Sequence, residues 1–379
     1  MAQKIKTDWI LFFTVVVMVC FGIVVVFSAS SVMAELKYKS SYYFISRQIF
    51  WAAVSFLVLM FFKRLDYRKF RNPVWAFAPL GVVLSMLLIA YFADPRRHRW
   101  ISIGSVGLQP SEFAKPALIV FLAYFITLRM RAINNRHTLL PASLALAVLV
   151  AAVAIPDFGT ALVLIVTAGV VFFVAGLERR YILLGLAGVG LLAGILIVSK
   201  PYRMARIIGY VDPEYKIISK FDRAGKIKDY VHTSLATRDP AYQARQSKIA
   251  VGTGGALGVG LMQGKQKLLY LPEAHTDFIY AVIGEELGLW GSTAVLVGFF
   301  VILWRGLRLF WIAPDDFGKY LALGVTASVV LQALINMSVV LDMGPTKGIP
   351  LPMISYGGSS LLSTLISLGL LLSVSERAE

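Results

Sequence analysis

The sequence predicts an all-α integral membrane protein of about ten helical spans, and three observations carry that prediction. First, 58% of the 379 residues are hydrophobic and only 15% are charged, with a mean hydropathy of +0.73. That leaves too little polar surface for a soluble globule of this length. Second, the apolar residues form continuous runs instead of the alternating pattern of a transmembrane barrel. Third, clusters of Lys and Arg alternate with the runs. Backbone amides in hydrocarbon must find partners inside the protein, so uninterrupted apolar runs of about 20 residues are helices.

In chain order the runs are 9–28, 43–62, 74–92, 113–128, 139–155, 158–177, 181–198, 278–303, 320–341 and 355–374. The first follows MAQKIK, and Val32, Met33 and Ala34 offer the small residues a signal peptidase cuts. Its apolar core, from Ile10 to Phe27, is longer than that of a signal peptide, so it is expected to stay as a helix. Cys20, the single cysteine, lies inside it; one cysteine makes neither a disulfide nor a thiolate metal site within the chain. Residues 1–379 are expected to form one polytopic domain.

Basic residues at Lys4 and Lys6, in 63–71, 129–137 and 178–180, and at Arg305 and Arg308 put those loops and both termini on the cytoplasmic side under the positive-inside rule. This spacing also removes nucleic acid as the reason for the formal net charge of +16. The other loops face outward, and three are unusual. Residues 92–109 carry Arg96, Arg97 and Arg99 against the rule. The large outer loop between spans 7 and 8, 199–276, has thirteen Lys or Arg against six Asp or Glu. Residues 342–354 are rich in Gly and Pro and hold Lys347. Positive charge kept outside at a topological cost points to an anionic ligand there, although a long loop also translocates whatever its charge.

Within QPSEFAK (109–115), Glu112 and Lys115 are three apart and meet on one helix face. They either neutralise each other or line a polar cavity; ionisable groups at membrane depth cost about 2.5–3.5 kcal/mol and mark functional sites. In IPDFGTAL (155–162), Asp157 is placed to cap a helix. The glycine-rich VGTGGALGVGLMQGK (251–265) is not a Walker A loop, which would need Gly at Val259 and Ser or Thr at Gln266. It reads instead as backbone that lets amides, Lys265 and Lys267 approach a phosphate. GIPLPMISYGGSSLL (348–362) reads as a close helix-packing segment.

In LPEAHTDFIYAVIGEELGLWG (271–291), Asp277 stands at the outer end of a helix beside His275. A half-dry carboxylate there is a candidate general base, the alternative being a plain cap. At about 100° per residue, Glu285 lies about 80° and Glu286 about 180° round the helix from Asp277. The three do not form one cluster, and the two glutamates are expected to partner basic groups.

Together QPSEFAK, PDFGTAL, QSKIAVGTGGALGVGL, LPEAHTDFIYAVIGEELG and PTKGIPLPMISYGGSS resemble, in order and over most of the chain, the signature blocks of the SEDS family (shape, elongation, division and sporulation proteins). QKLLYLPEAHTDFI and PTKGIPLP are more similar to its cell-division branch than to its elongation branch. The resemblance implies a peptidoglycan glycosyltransferase that polymerises lipid II, the undecaprenyl-pyrophosphate disaccharide-pentapeptide, at the outer face of the plasma membrane during septal wall synthesis. It implies a class B penicillin-binding protein as transpeptidase partner, among other divisome membrane proteins. It makes Asp277 the catalytic residue and Arg99, Glu112 and Lys115 charged cavity positions, with Lys265, Lys267 and His275 as further substrate-binding candidates. No cofactor is called for and no closed metal site is evident, while a divalent cation can share the pyrophosphate. One departure is 216–242, longer than the family's usual loop. The rival reading is a lipid II flippase, which needs polar access from both faces, whereas the motifs here gather on one.

Overall fold

The computed structural model describes residues 7–94, 98–104, 106–199, 201–212, 240–268, 270–345 and 348–378. Lys4, Lys6, Arg96, Arg97, Lys347 and nearly all of 216–242 lie outside them. The chain is a multi-pass helical membrane protein. Its elements are α1 (Trp9–Tyr38), α2 (Tyr43–Arg64), α3 (Pro73–Ala93), the strands β1 (Ile101–Ile103) and β2 (Val106–Leu108), α4 (Pro110–Arg129), α5 (Arg136–Ala154), α6 (Phe158–Val174), α7 (Arg179–Val198), α8 (Pro201–Val211), α9 (Pro240–Gly254), α10 (Ile279–Ile312), α11 (Asp316–Val340) and α12 (Gly358–Ser375). Among the described residues, nine helices are long and apolar enough to cross a membrane, and α6 is a shorter apolar helix.

Each expected run holds a helix, and several starts are set by local capping chemistry. Asp8 accepts from the Leu11 amide to begin α1, Asn72 precedes Pro73 at the start of α3, and Asn135 and Asp315 cap α5 and α11. Two features depart from the expectation. Residues 101–103 and 106–108 form an antiparallel ribbon pairing Ile101 with Leu108, so the fold is not purely helical. Among its described residues, the expected outer loop 199–276 contains the helices α8 and α9.

α4, α11 and α12 form the centre, with most of their residues buried. α2 packs along α12, and α10 along α11 and α1. α7 buries none of its residues. At one end of the bundle, ion pairs tie residues near the two termini to α10 and α2, and a hydrogen bond joins the connection after α2 to the start of α11. Arg305 holds Asp8 at 2.7 Å, Lys63 holds Glu376 at 3.1 Å, and the Tyr67 hydroxyl donates to Asp315. Burial and the Asp315 carboxylate push the Tyr67 phenol well above its usual range, so it stays a donor.

α10 is broken at Gly288, whose backbone is left-handed (φ 64°). A kink inside a membrane helix frees backbone groups that must be satisfied within the protein. The glycine-rich segment does this: Val259 N–H donates to the Glu285 carbonyl, Gly260 N–H to the Glu286 carbonyl, and Leu289 N–H to the Gly255 carbonyl. A Cβ on Gly258 or on Gly288 would overlap the other segment's backbone, which is why both are glycine.

Candidate active site

Asp277 and Arg305 lie near opposite ends of α10, so the end carrying Asp277 is the one away from the chain termini. There a cavity of about 880 Å³ opens. α2 supplies Arg47 and Trp51, the ribbon region Arg99 and Trp100, and α4 Glu112 with Gln109 just before it. The remaining wall comes from Arg206 of α8, residues 273–278, and the segment from Gly348 to Ser360.

Asp277 is half-buried and sits one residue before Phe278, the cap position of α10. Three consecutive carbonyls hold the turn. His275 accepts from Tyr356 N–H (2.9 Å), Thr276 from the Ser355 hydroxyl (2.5 Å), and Asp277 from the Asn336 amide (2.7 Å). Its carboxylate lies against the backbone of Gly348, where a side chain would overlap it. Glu273, four residues earlier, has left-handed backbone (φ 56°) and also lines the cavity.

Arg99 reaches Asp157 at 3.3 Å. Burial works against its charge, but Asp157, Asp277, Glu112 and Glu273 together outweigh it and hold the guanidinium above its ordinary range. It is a permanent cation with carboxylates on several sides. Asp157 is both cap and anchor: one oxygen accepts from the Gly159 and Thr160 amides, the other from Arg99, Gln109 Nε2 (2.9 Å) and the Thr160 hydroxyl (2.7 Å). His275 is buried against Phe44 and Tyr356. Burial lowers its pKa, which keeps the ring neutral, and no partner for its Nδ1 occurs among the described residues.

The structure thus brings Asp277, Arg99, Glu112 and His275 to one cavity. It does not bring the three lysines to the cavity wall. Lys115 is buried behind it, donating at 2.7 Å to both Glu112 Oε2 and Gln332 Oε1, so the expected i,i+3 pair forms but faces inward. Lys267 is buried between Glu286 (2.5 Å) and Ser28 (2.9 Å) of α1. The Lys265 side chain is exposed, and its amide, with that of Gln266, donates to Glu285. The loop amides expected to cradle a phosphate are occupied by the protein's own carboxylate. Loop amides therefore satisfy Glu285 by hydrogen bonds, while Lys267 pairs Glu286. The small residues of 357–360 pack as expected: Gly358 touches the Trp51 ring, and the Ser359 hydroxyl accepts from the Gln109 amide.

Sequence reasoning missed Arg47, Arg206, Glu273, Gln332 and Asn336. Arg47 carries a signal, being a charge in the first turns of an apolar run, and Glu273 another, standing four residues before Asp277 in the same block; Arg206, Gln332 and Asn336 become visible only when distant segments meet. Among the described residues no group of three or more His, Cys, Asp or Glu is placed to hold a metal.

Fold and cavity together define a multi-pass membrane protein whose charged side chains converge on a polar chamber at one end of a helix bundle. The family model described as cell cycle protein, covering FtsW, RodA and SpoVE, matches residues 8–379, and the chain belongs to that family. It is 39% identical to a probable peptidoglycan glycosyltransferase FtsW of Geobacter sp. (strain M18), covering 98% of this chain and 97% of the relative. It is 35% identical to the stage V sporulation protein E of Bacillus subtilis (strain 168), covering 99% and 98%. Among solved structures it is similar to a chain from a study of how a peptidoglycan synthase complex coordinates polymerization and crosslinking (TM-score 0.74, 26% identity, 98% of both chains). The rod shape determining protein RodA of Thermus thermophilus is also similar (TM-score 0.67, 25% identity, 98% of both chains).

Proposed function

We propose that the chain is a peptidoglycan glycosyltransferase that polymerises lipid II on the outer face of the plasma membrane at the division septum, beside a class B penicillin-binding protein that crosslinks the strands. The observation that carries this reading is the meeting of Asp277 with Arg99 in one cavity beside the membrane-spanning bundle. The names of the FtsW relatives and the similarity to a peptidoglycan synthase chain support it. Basic clusters at the opposite end of the bundle favour an outward-facing cavity. Between the two ends, α4, α11 and α12 are packed with apolar side chains such as Leu118, Leu122, Leu321 and Leu365, which speaks against a polar path for a flipped headgroup.

In the proposed step the 4-hydroxyl oxygen of the acceptor GlcNAc attacks C1 of the donor MurNAc. The C1–oxygen bond to the polyprenyl pyrophosphate breaks, the configuration inverts from α to β, and the hydroxyl proton passes to Asp277. Such general base catalysis contributes about 10²–10⁴-fold. Arg99, with Arg47 and Arg206 as neighbouring cations, stabilises the charge on the departing pyrophosphate. Lys115 acts at one remove, fixing the rotamer of Glu112. Lys265 and Lys267 are assigned no contact with substrate.

The test is polymerisation of purified lipid II by the full chain reconstituted with its transpeptidase partner, comparing wild type with Asp277→Ala at equal folded amounts. Loss of polymer in the variant alone is expected. Equal polymer from both would remove Asp277 from the base role. No polymer from either, with protein-dependent passage of lipid II across vesicles, would replace the reading with the flippase.

A further inference from the structure

Two amide side chains of α11, Gln332 and Asn336, stand one helical turn apart on the same face. Both reach the extended segment that follows Gly348. Gln332 Nε2 donates to the Pro350 carbonyl at 2.8 Å, while its Oε1 accepts from Lys115. Asn336 Nδ2 donates to two carbonyls at once, Ile349 at 2.6 Å and Asp277 at 2.7 Å. Both residues are nearly fully buried, 2% and 1% exposed.

The orientation of the Asn336 amide is fixed by its surroundings. An amide NH₂ has two hydrogens and no lone pair to offer, and here each hydrogen faces a carbonyl. Turned over, the amide would set its own oxygen against two carbonyl oxygens. Its Oδ1 in turn has no hydrogen-bond partner among the described residues. A buried acceptor left open is an unfavourable arrangement, tolerated here because the other end of the amide bonds the Asp277 and Ile349 carbonyls, beside the Ser355–Thr276 and Tyr356–His275 bonds that join the same two segments.

Those two segments are the ones that face each other across the Asp277 carboxylate. Asp277 presses on Gly348, and Ile349 is the next residue. The span between the Asp277 and Ile349 carbonyls therefore sets the gap in which the carboxylate stands. We propose that Asn336 is a positioning residue for the transfer reaction: by clamping the Asp277 and Ile349 carbonyls together it holds the Asp277 carboxylate at the cavity wall in the orientation that takes the acceptor proton. Gln332 extends the clamp by one turn and ties it to the Lys115–Glu112 pair. The inference rests on the reading of Asp277 as the base.

A group that acts through Asp277 should change turnover and leave substrate capture alone, because misplacing a reacting group by about 1 Å can slow a reaction about 100-fold. The experiment measures kcat and KM for lipid II polymerisation by the full chain with its transpeptidase partner, together with thermal unfolding. Asn336→Ala and Asn336→Asp are each expected to lower kcat about 10- to 100-fold. KM should stay within about 2-fold and the Asp variant should be the slower, since it sets an anion against two carbonyls. Unchanged kcat in either folded variant, a rise in KM alone, or a loss that only follows the folded fraction would overturn the proposal. If Asn336→Ala does not fold, Asn336→Ser, which keeps one donor, decides: kcat between wild type and Asn336→Asp supports the clamp, and wild-type kcat overturns it. Polymer formed by Asp277→Ala would overturn the base assignment itself, a result separate from any Asn336 outcome.

Discussion

The carboxylate of Asp277 occupies the space in which a side chain on Gly348 would have to stand. Residues 71 positions apart in the chain therefore share one wall of the cavity, and the glycine is dictated by the acid. Gly348→Ala is expected to push the carboxylate aside and lower polymerisation about 100-fold. Overpacking should cost only about 1–3 kcal/mol of stability. Kinetics on folded protein, with melting as control, checks this; an Ala variant with wild-type turnover would show that the carboxylate's position is not critical.

Asp157 joins the start of α6 to the cavity. Asp157→Ala removes a helix cap worth about 1 kcal/mol. It also leaves buried donors on Gln109 and Arg99 short of an acceptor, at about 1–3 kcal/mol each. Asp157→Asn keeps the capping oxygen and is expected to unfold between wild type and Ala. Equal melting of all three would remove Asp157 as an anchor.

His275 gives a pH dependence with a definite sign. Its pKa is lowered on folding by burial, so at acidic pH the unfolded chain binds a proton that the folded chain refuses. Stability therefore falls as pH drops below about 6.5, the ordinary histidine value. Above that value this residue adds no pH dependence. Melting followed from pH 8 to pH 5 should slope less in His275→Phe than in wild type, and parallel curves would refute the assignment.

Lys267 and Glu286 make a buried ion pair with side chains 3% and 2% exposed. Removing one partner leaves a charge unmatched, so Lys267→Ala is expected to destabilise by about 3–5 kcal/mol. Lys267→Met combined with Glu286→Leu should lose less than the two single changes summed. Folded Lys267 variants should keep the wild-type KM. A raised KM would return Lys267 to the substrate contacts.

Much of the architecture was legible because hydrocarbon imposes a simple rule: the backbone must satisfy itself, so apolar runs become helices at the places the runs occupy. The capping of α6 by Asp157, the pairing of Glu112 with Lys115 and the separation of Glu285 and Glu286 from Asp277 also follow from local geometry. The places of Lys265 and Lys267 were not legible. A lysine in a polar loop looks the same in sequence whether it faces an anion from outside or a carboxylate of its own chain, and Lys267 faces Glu286.

The sequence by itself determined the helical membrane fold, the family through its ordered blocks, and the acid at position 277 beside a helix start, because each is encoded in residues near one another. Tertiary structure alone decided which charges share the cavity. The break at Gly288 turns the glycine-rich loop onto Glu285 and Glu286, α2 and α8 bring Arg47 and Arg206 to the chamber that holds Arg99, and Asn336 meets Asp277 across 59 residues of chain. Those partnerships arise because buried charge and backbone must find partners inside the protein, and the pairings that satisfy them span segments far apart in sequence.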